Sequence, residues 1–265
     1  MRRRSWLVIG VIAALVVGGV VLVVRAPWSD PDATTASSDD GRCVRYAGFE
    51  SSGEQNSLDP AVAFTTQNTL GLNAVYNRLL DRTDDHELLP ELAESWEPSD
   101  DLTSWTFHLK EGVTFWTDGH ELTSADVVYT FQRLLDPETG SDALSVLGPL
   151  VEADGIVADD DHTVTFNLKK PNAEFPSFLA TKNTYVVADG ATTDELRSSG
   201  AGTGPFKPVG FRPDATTQRF DRHADYWEDG APKAPCLELV VIEDSNAALA
   251  AIQSGQVDVL QSVDA

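Results

Sequence analysis

The sequence predicts a mixed α/β fold assembled from two parts, and three observations carry that reading. Near the C-terminus, "CLELVVIE" (236–243), "SNAALAAIQSG" (245–255) and "VDVL" (257–260) read as strand, helix and strand, a compact βαβ unit. In the middle, "SWTFHLK" (104–110) and "TVTFNL" (163–168) alternate apolar and polar residues, the pattern of strands with one buried face. Between those two, Val127, Val128, Phe131, Leu134 and Leu135 recur at helical spacing, so a helix covers the sheet.

Each element has a local reason. "MRRR" precedes Trp6–Val24, a charge-free apolar run that as a helix would span about 28 Å, close to a bilayer's hydrocarbon thickness. Basic residues ahead of the run keep that end cytoplasmic, which places the bulk outside the cytoplasm, at the cell surface or in a periplasm. "VLVVRAPWSD" offers no A-x-A cleavage site, which favours an anchoring transmembrane helix (1–25) over a cleaved signal peptide. Residues 26–42, rich in Pro, Ser, Thr and Asp, read as a disordered tether. Structure begins with a strand at Cys43–Phe49, a turn at "NSLDPA", and a helix from Thr66 to Arg82 in which Leu72, Val75, Leu79 and Leu80 form the stripe. Thr123 and Asp126 stand three apart as a capping box, and Pro137 stops the helix they open. "GIVADDDHTVTFNL" is a hairpin with an Asp-rich turn. Two short strands are expected around Phe211 and Phe220. The near-continuous apolar run at 236–243 suggests a strand buried on both faces, followed by a helix with Ser245 as N-cap and Gly255 as its stop.

Charge and cysteine content exclude several functions. The net charge is −23, with 42 acidic against 19 basic residues, so nucleic acid and anionic headgroups are poor partners. Two cysteines, Cys43 and Cys236, read in an oxidising compartment as one candidate disulfide or as two unpaired thiols. Catalytic patterns are weak. Asp118, His120 and Asp126 lie close in sequence, but Asp126 is used by the cap, Asp118-Gly119 is a turn pair, and His120 has no patterned partner. The five histidines show no HExxH and no Cys–His spacing, and Asp159–His162 reads as a solvated hairpin tip. No G-x-S-x-G elbow or GxxxxGK[ST] loop occurs, and Pro205 removes a donor where phosphate bound at "GTGP" would need one. Trp96, Trp105, Trp116 and Trp227 read as core. Neither an enzyme nor a cofactor or metal site follows from these residues.

"LLPELAESWEPSDDLTSWTFHLKEGVTFWTDGHELTSADVVYTFQRLLDP" (88–137), with "SLDPA" (57–61), "GTGPFKPVGF…DRHADYW" (202–227) and "VVIEDSNAALAAIQSGQVDVL" (240–260), resembles the family 5 extracellular solute-binding proteins. These are receptors of dipeptide, oligopeptide and nickel ABC importers. The resemblance implies a clamshell of the type II periplasmic-binding-protein kind, whose first lobe carries an inserted β-rich subdomain. Carried onto this sequence, 43–77 and 191–265 build the first lobe and 78–190 the insertion, with the second lobe missing. It further implies that Phe64, Thr65 and Thr66 line a ligand cleft, that Ala143 stands where some peptide binders place an aromatic residue, and that Gly202–Pro205 shapes the crossing back to the first lobe. It puts Cys43 and Cys236 in one sheet, where a disulfide could form. The expected partners are a small peptide or similar solute, ABC permease subunits, and the membrane through the N-terminal helix. The rival readings are a split-gene fragment, a receptor for a nickel chelate or an oligosaccharide, and an extracytoplasmic hydrolase.

Overall fold

A computed structural model describes residues 41–48, 56–63 and 66–261, with only the backbone at 66 and 67. The apolar run Trp6–Val24 and most of the expected tether lie outside the described residues. Among the described residues no helix is long and apolar enough to cross a membrane.

Two sheets organise the molecule. The first holds five strands in the order β11-β1-β10-β9-β8. They are β1 (Val44–Gly48), β8 (Phe206–Val209), β9 (Thr217–Arg222), β10 (Cys236–Val241) and β11 (Val259–Leu260). β1 runs parallel to both β10 and β11, with Tyr46 opposite Leu239 on one side and Val259 on the other. The C-terminal βαβ unit therefore straddles β1: β10 leads through α6 (Ser245–Gln253) to β11, and the first strand of the chain lies between them. Helix α1 (Thr66–Val75) covers one face, with Gly71 close to Leu239 and Phe220. On the other face Ala251 and Val257 pack with Ala47. That two-sided cover is why the β10 run reads as nearly all apolar, although only Cys236 and Leu239 are fully buried.

The second sheet is antiparallel, in the order β4-β5-β7-β6, built from β4 (Ala93–Pro98), β5 (Ser104–Leu109), β6 (Val151–Asp160) and β7 (Thr163–Leu168). Helix α2 (Ser124–Leu135) packs across β6 and β7. Phe166 is the centre of that contact. Its ring meets Phe131 of α2 at 5.0 Å and Phe107 of β5 at 5.5 Å, both edge-on, and Phe175 at 5.4 Å. Edge-to-face pairs of this kind add about 0.5–1.5 kcal/mol each beyond area burial. The capping box at Thr123 is present, and the Asp126 carboxylate accepts the Thr123 N–H at 2.8 Å.

Several expectations change. The helix opened at Thr66 ends at Val75; Leu80–Arg82 is a strand, β2, paired with β3 (Leu88–Pro90). The helical spacing of Leu79 and Leu80 is misleading, because both are fully buried in the core from extended chain. Phe211 lies in the loop joining β8 to β9, not on a strand. The α6 N-cap is Asp244, whose carboxylate accepts the Ala247 N–H at 2.8 Å, so Ser245 is the first helical residue. Trp227 is only half-buried, and it lines an open cleft.

The two sheets meet where Gly202–Pro205 crosses the end of α1. Gly204 N–H donates to the Val75 carbonyl at 2.9 Å, and Trp116 N–H donates to the Gly202 carbonyl at 3.2 Å. A Cβ at Gly202 would sit 2.1 Å from the Val75 oxygen, and one at Gly204 2.4 Å from the Val75 carbonyl carbon. Only glycine permits this approach. Beside it, Asn77 accepts from the Thr203 hydroxyl at 3.0 Å and from the Trp227 indole at 3.3 Å, and donates to Glu91 at 2.8 Å and to the Tyr226 hydroxyl at 3.2 Å. One amide joins four segments.

Cys43 and Cys236 are bonded, with their Cα atoms 4.5 Å apart at the paired ends of β1 and β10. The bond closes a sequence separation of 193 residues. In the chain-entropy account a loop that long contributes on the order of 4–5 kcal/mol. The double variant Cys43→Ala, Cys236→Ala is expected to lose stability of that size in urea unfolding; a loss under about 1 kcal/mol would contradict it. Gly204→Ala is expected to cost about 2–3 kcal/mol or more in the same measurement, as overpacking against backbone that cannot yield.

Candidate functional site

Parallel strands point their carboxyl ends toward the place where open α/β sheets receive ligands, because helix N-termini and loops gather there. Here β1, β10 and β11 share that direction. Residues 57–63 form a tight turn. Ser57 Oγ accepts the Asp59 N–H, and Asp59 Oδ1 accepts the Ala61 N–H, both at 3.0 Å. The turn is pinned to α2 by a bidentate pair: Arg133 donates to Asp59 Oδ1 at 2.9 Å and to Oδ2 at 2.6 Å. Asp59 has no solvent exposure and Arg133 only 11%. A buried guanidinium–carboxylate fork fixes orientation as well as charge. Sequence reading placed Asp59 in a turn and Arg133 on a helix without joining them, since nothing in a linear pattern signals a contact 74 positions apart.

The residues assigned by resemblance follow the turn in sequence. Phe64 and Thr65 lie outside the described residues, and Thr66 opens α1. Ala143 is buried at the start of α3 (Ala143–Leu147), with its N–H donated to Ser141 Oγ at 3.2 Å.

The Asp118, His120 and Asp126 cluster does come together, a point on which the sequence reading of an unpartnered His120 is corrected. His120 Nδ1 lies 2.6 Å from Asp118 Oδ1 and Nε2 lies 3.2 Å from Asp126 Oδ1, while the ring stacks on Phe115 at 4.5 Å. Both ring nitrogens face carboxylates. None is left to take a proton from a hydroxyl, so the arrangement lacks the nucleophile–base contact that acyl transfer needs. At the hairpin tip, Asp159 accepts from the Thr165 hydroxyl at 2.6 Å and Asp160 from the His162 N–H at 2.9 Å. Among the described residues no three His, Cys, Asp or Glu side chains converge in a way that could hold a metal ion.

A second cleft, of about 620 Å³, opens at the other end of α1, bounded by Asn77, Arg78, Glu91, Lys110, Tyr226 and Trp227. Its polar groups are largely spent on one another. Arg78 bonds Asp81 at 2.8 Å and Glu91 at 3.4 Å, and the Lys110 ammonium sits 4.1 Å over the Trp227 ring. Burial raises the Glu91 carboxyl above its ordinary range, against the opposing pull of Arg78 and Asn77. This is a polar seam binding the β2–β3 hairpin to the 223–228 loop, and it explains why Trp227 is not in the core.

Comparison with known proteins places this arrangement. The family model for bacterial extracellular solute-binding proteins, family 5 Middle, matches residues 87–265. The chain is 27% identical over 236 residues to the dipeptide-binding protein DppE of Bacillus subtilis (strain 168), covering 82% of this chain and 42% of that protein. It is 32% identical over 273 aligned positions to the probable ABC transporter periplasmic-binding protein SapA of Escherichia coli (strain K12), covering 93% and 48%. Among solved structures, AgaA from A. tumefaciens R10 in complex with agropinic acid superposes with a TM-score of 0.73 at 28% identity, covering 83% of this chain and 43% of that one. The chain thus spans about half the length of the curated relatives it matches. The fold matches that of the AgaA structure, and with the family model spanning 87–265 the chain belongs to the bacterial extracellular solute-binding proteins, family 5.

Proposed function

We propose that this chain supplies one face of the solute cleft of an ABC importer's extracytoplasmic binding receptor, and that the solute is peptide-like. The observation that carries the reading is the Asp59–Arg133 fork, which ties the 57–63 turn, just ahead of α1 in sequence, to α2. Fixed backbone at such a place can bind a peptide's own amides without reading every side chain. In this proposal 43–77 with 191–265 is the first lobe, 78–190 is its insertion, and a second lobe closes over the ligand by a hinge before the receptor docks on a membrane permease. Export or anchoring through Trp6–Val24 puts the receptor in the compartment where its solute is found.

The peptide class is supported by the name of the Bacillus subtilis relative, a dipeptide-binding protein. Binding without turnover is the whole of the chemistry. Native mass spectrometry of the protein isolated from its own cells is expected to show a peptide-sized solute that is released unaltered. Phe64→Ala is expected to weaken rebinding about tenfold, roughly 1.4 kcal/mol, with Tm unchanged. Recovery of cleaved peptide, or unaltered affinity in that variant, would refute the assignment.

A further inference from the structure

The bridge at His120 carries a role beyond capping. A neutral imidazole has one N–H and one lone pair, so it can satisfy only one of two carboxylates. His120 faces Asp118 at 2.6 Å and Asp126 at 3.2 Å, which is an arrangement for an imidazolium with two donors. The two acids belong to different elements: Asp118 is on the exposed tip of the 115–122 loop, whose ends Phe115 and Leu122 are buried, and Asp126 is buried in the first turn of α2.

Asp126 does not depend on the histidine. Its Oδ1 also accepts the Asp189 N–H at 2.8 Å, and its Oδ2 accepts the Thr123 N–H and hydroxyl. Asp118 is different: 65% of its side chain is exposed, and besides the ring it accepts only the His120 N–H at 3.1 Å within its own turn. Asp118 and His120 share the loop, so the contact that reaches α2 is His120–Asp126. Loss of the ring proton leaves one N–H for the nearer Asp118 and opens the 3.2 Å contact to Asp126. The helix start stays closed by its own bonds, and the turn keeps Phe115 N–H on the His120 carbonyl at 2.9 Å. The same loop reaches the glycine crossing through Trp116 N–H and the Gly202 carbonyl.

The other groups around the ring also favour its charged form or leave it untouched. A hollow of about 370 Å³ beside it is lined by Asp189 and Glu195, and no lysine or arginine lines it. Glu195 is tied to the Thr192 N–H and hydroxyl, and Glu121 accepts the Gly112 N–H at 2.6 Å. Desolvation pulls the His120 pKa down, but hydrogen bonds and charge from Asp118 and Asp126 outweigh it and the net shift is upward. The Asp118 pKa is lowered, chiefly by its hydrogen bond from the ring.

We propose that Asp118–His120–Asp126 is a proton-operated latch, which fixes the 115–122 loop to α2 beside the glycine crossing and lets go of Asp126 in alkaline surroundings. The sign follows from both partners. A raised histidine pKa gives stabilisation that is complete below the unfolded value and lost as pH rises through the folded one. A lowered aspartate pKa gives stabilisation present above its unfolded value and lost as pH falls through the folded one. The latch holds between those two limits, a window suited to an external compartment whose acidity varies.

The test follows ring and backbone together in the full chain in detergent. With 13C-labelled histidine, the His120 signal, assigned by its disappearance in His120→Gln, is expected to titrate above the value of about 6.5 for a free imidazole. Asp118→Asn, a change at an exposed position, is expected to lower that midpoint. The Trp116 amide should move with the same midpoint in the native chain and stay flat in His120→Gln. A His120 midpoint at or below the free value, or one that Asp118→Asn leaves unmoved, would overturn the latch. So would a Trp116 amide that ignores it.

Discussion

The architecture depends on how closely the backbone of residues 202–205 approaches the end of α1. The Val75 carbonyl is the last helical acceptor, and Gly204 N–H fills it at 2.9 Å. No side chain fits at Gly202 or Gly204, so those two positions are dictated by backbone contact. Several contacts gather at this seam: Asn77 fastens it sideways, Trp116 fastens it to the loop after β5, and His223 N–H closes it on the Pro205 carbonyl at 2.8 Å. A buried amide making four hydrogen bonds is a high-stakes joint, because removing any partner strands a polar group. The same joint that makes the fold specific makes it intolerant of change.

On this frame the ligand side and the seam side have opposite chemistry. At the seam, charges are neutralised in place, by Arg78 with Asp81 and Glu91, and by Lys110 over Trp227. In the 57–63 turn, one buried ion pair, Asp59 with Arg133, ties the turn to α2. A buried pair of this sort is weak evidence for stability, since its desolvation cost rivals its attraction. Its worth here is directional. It makes the 57–63 turn a fixed part of the scaffold, held to α2 through both carboxylate oxygens. That logic also accounts for His120: a residue placed between two acids holds a loop, where one placed between an acid and a hydroxyl would do catalysis.

Local elements were legible in the sequence where one short-range rule dominated. The alternation of Trp105, Phe107 and Leu109 gave β5, and the Thr123–Asp126 spacing gave the start of α2. The apolar run at 236–243 gave β10 as a strand. Failures came where tertiary contact overrode a period: Leu79 and Leu80 continue a helical stripe, yet the chain has already left the helix to meet Gly204. Asp244 and Ser245 are both good caps, and a choice between neighbours one residue apart needs the backbone angles. The site was less legible than the fold. Its main fixture joins Asp59 to Arg133 across 74 positions, and the His120 bridge uses a buried oxygen already assigned to a cap. Contacts shared between two roles are invisible to a reading that assigns each residue once. Motif order across 57–260 supplied what periodicity could not.

The most direct measurement is a crystal structure of the protein with its solute bound. The account predicts an intact, peptide-like molecule lying against the segment that joins the 57–63 turn to α1, at the carboxyl ends of β1 and β10, with the Asp59–Arg133 fork closed behind it. A solute seated instead in the cleft between Tyr226 and Glu91, or found cleaved beside His120, would contradict it.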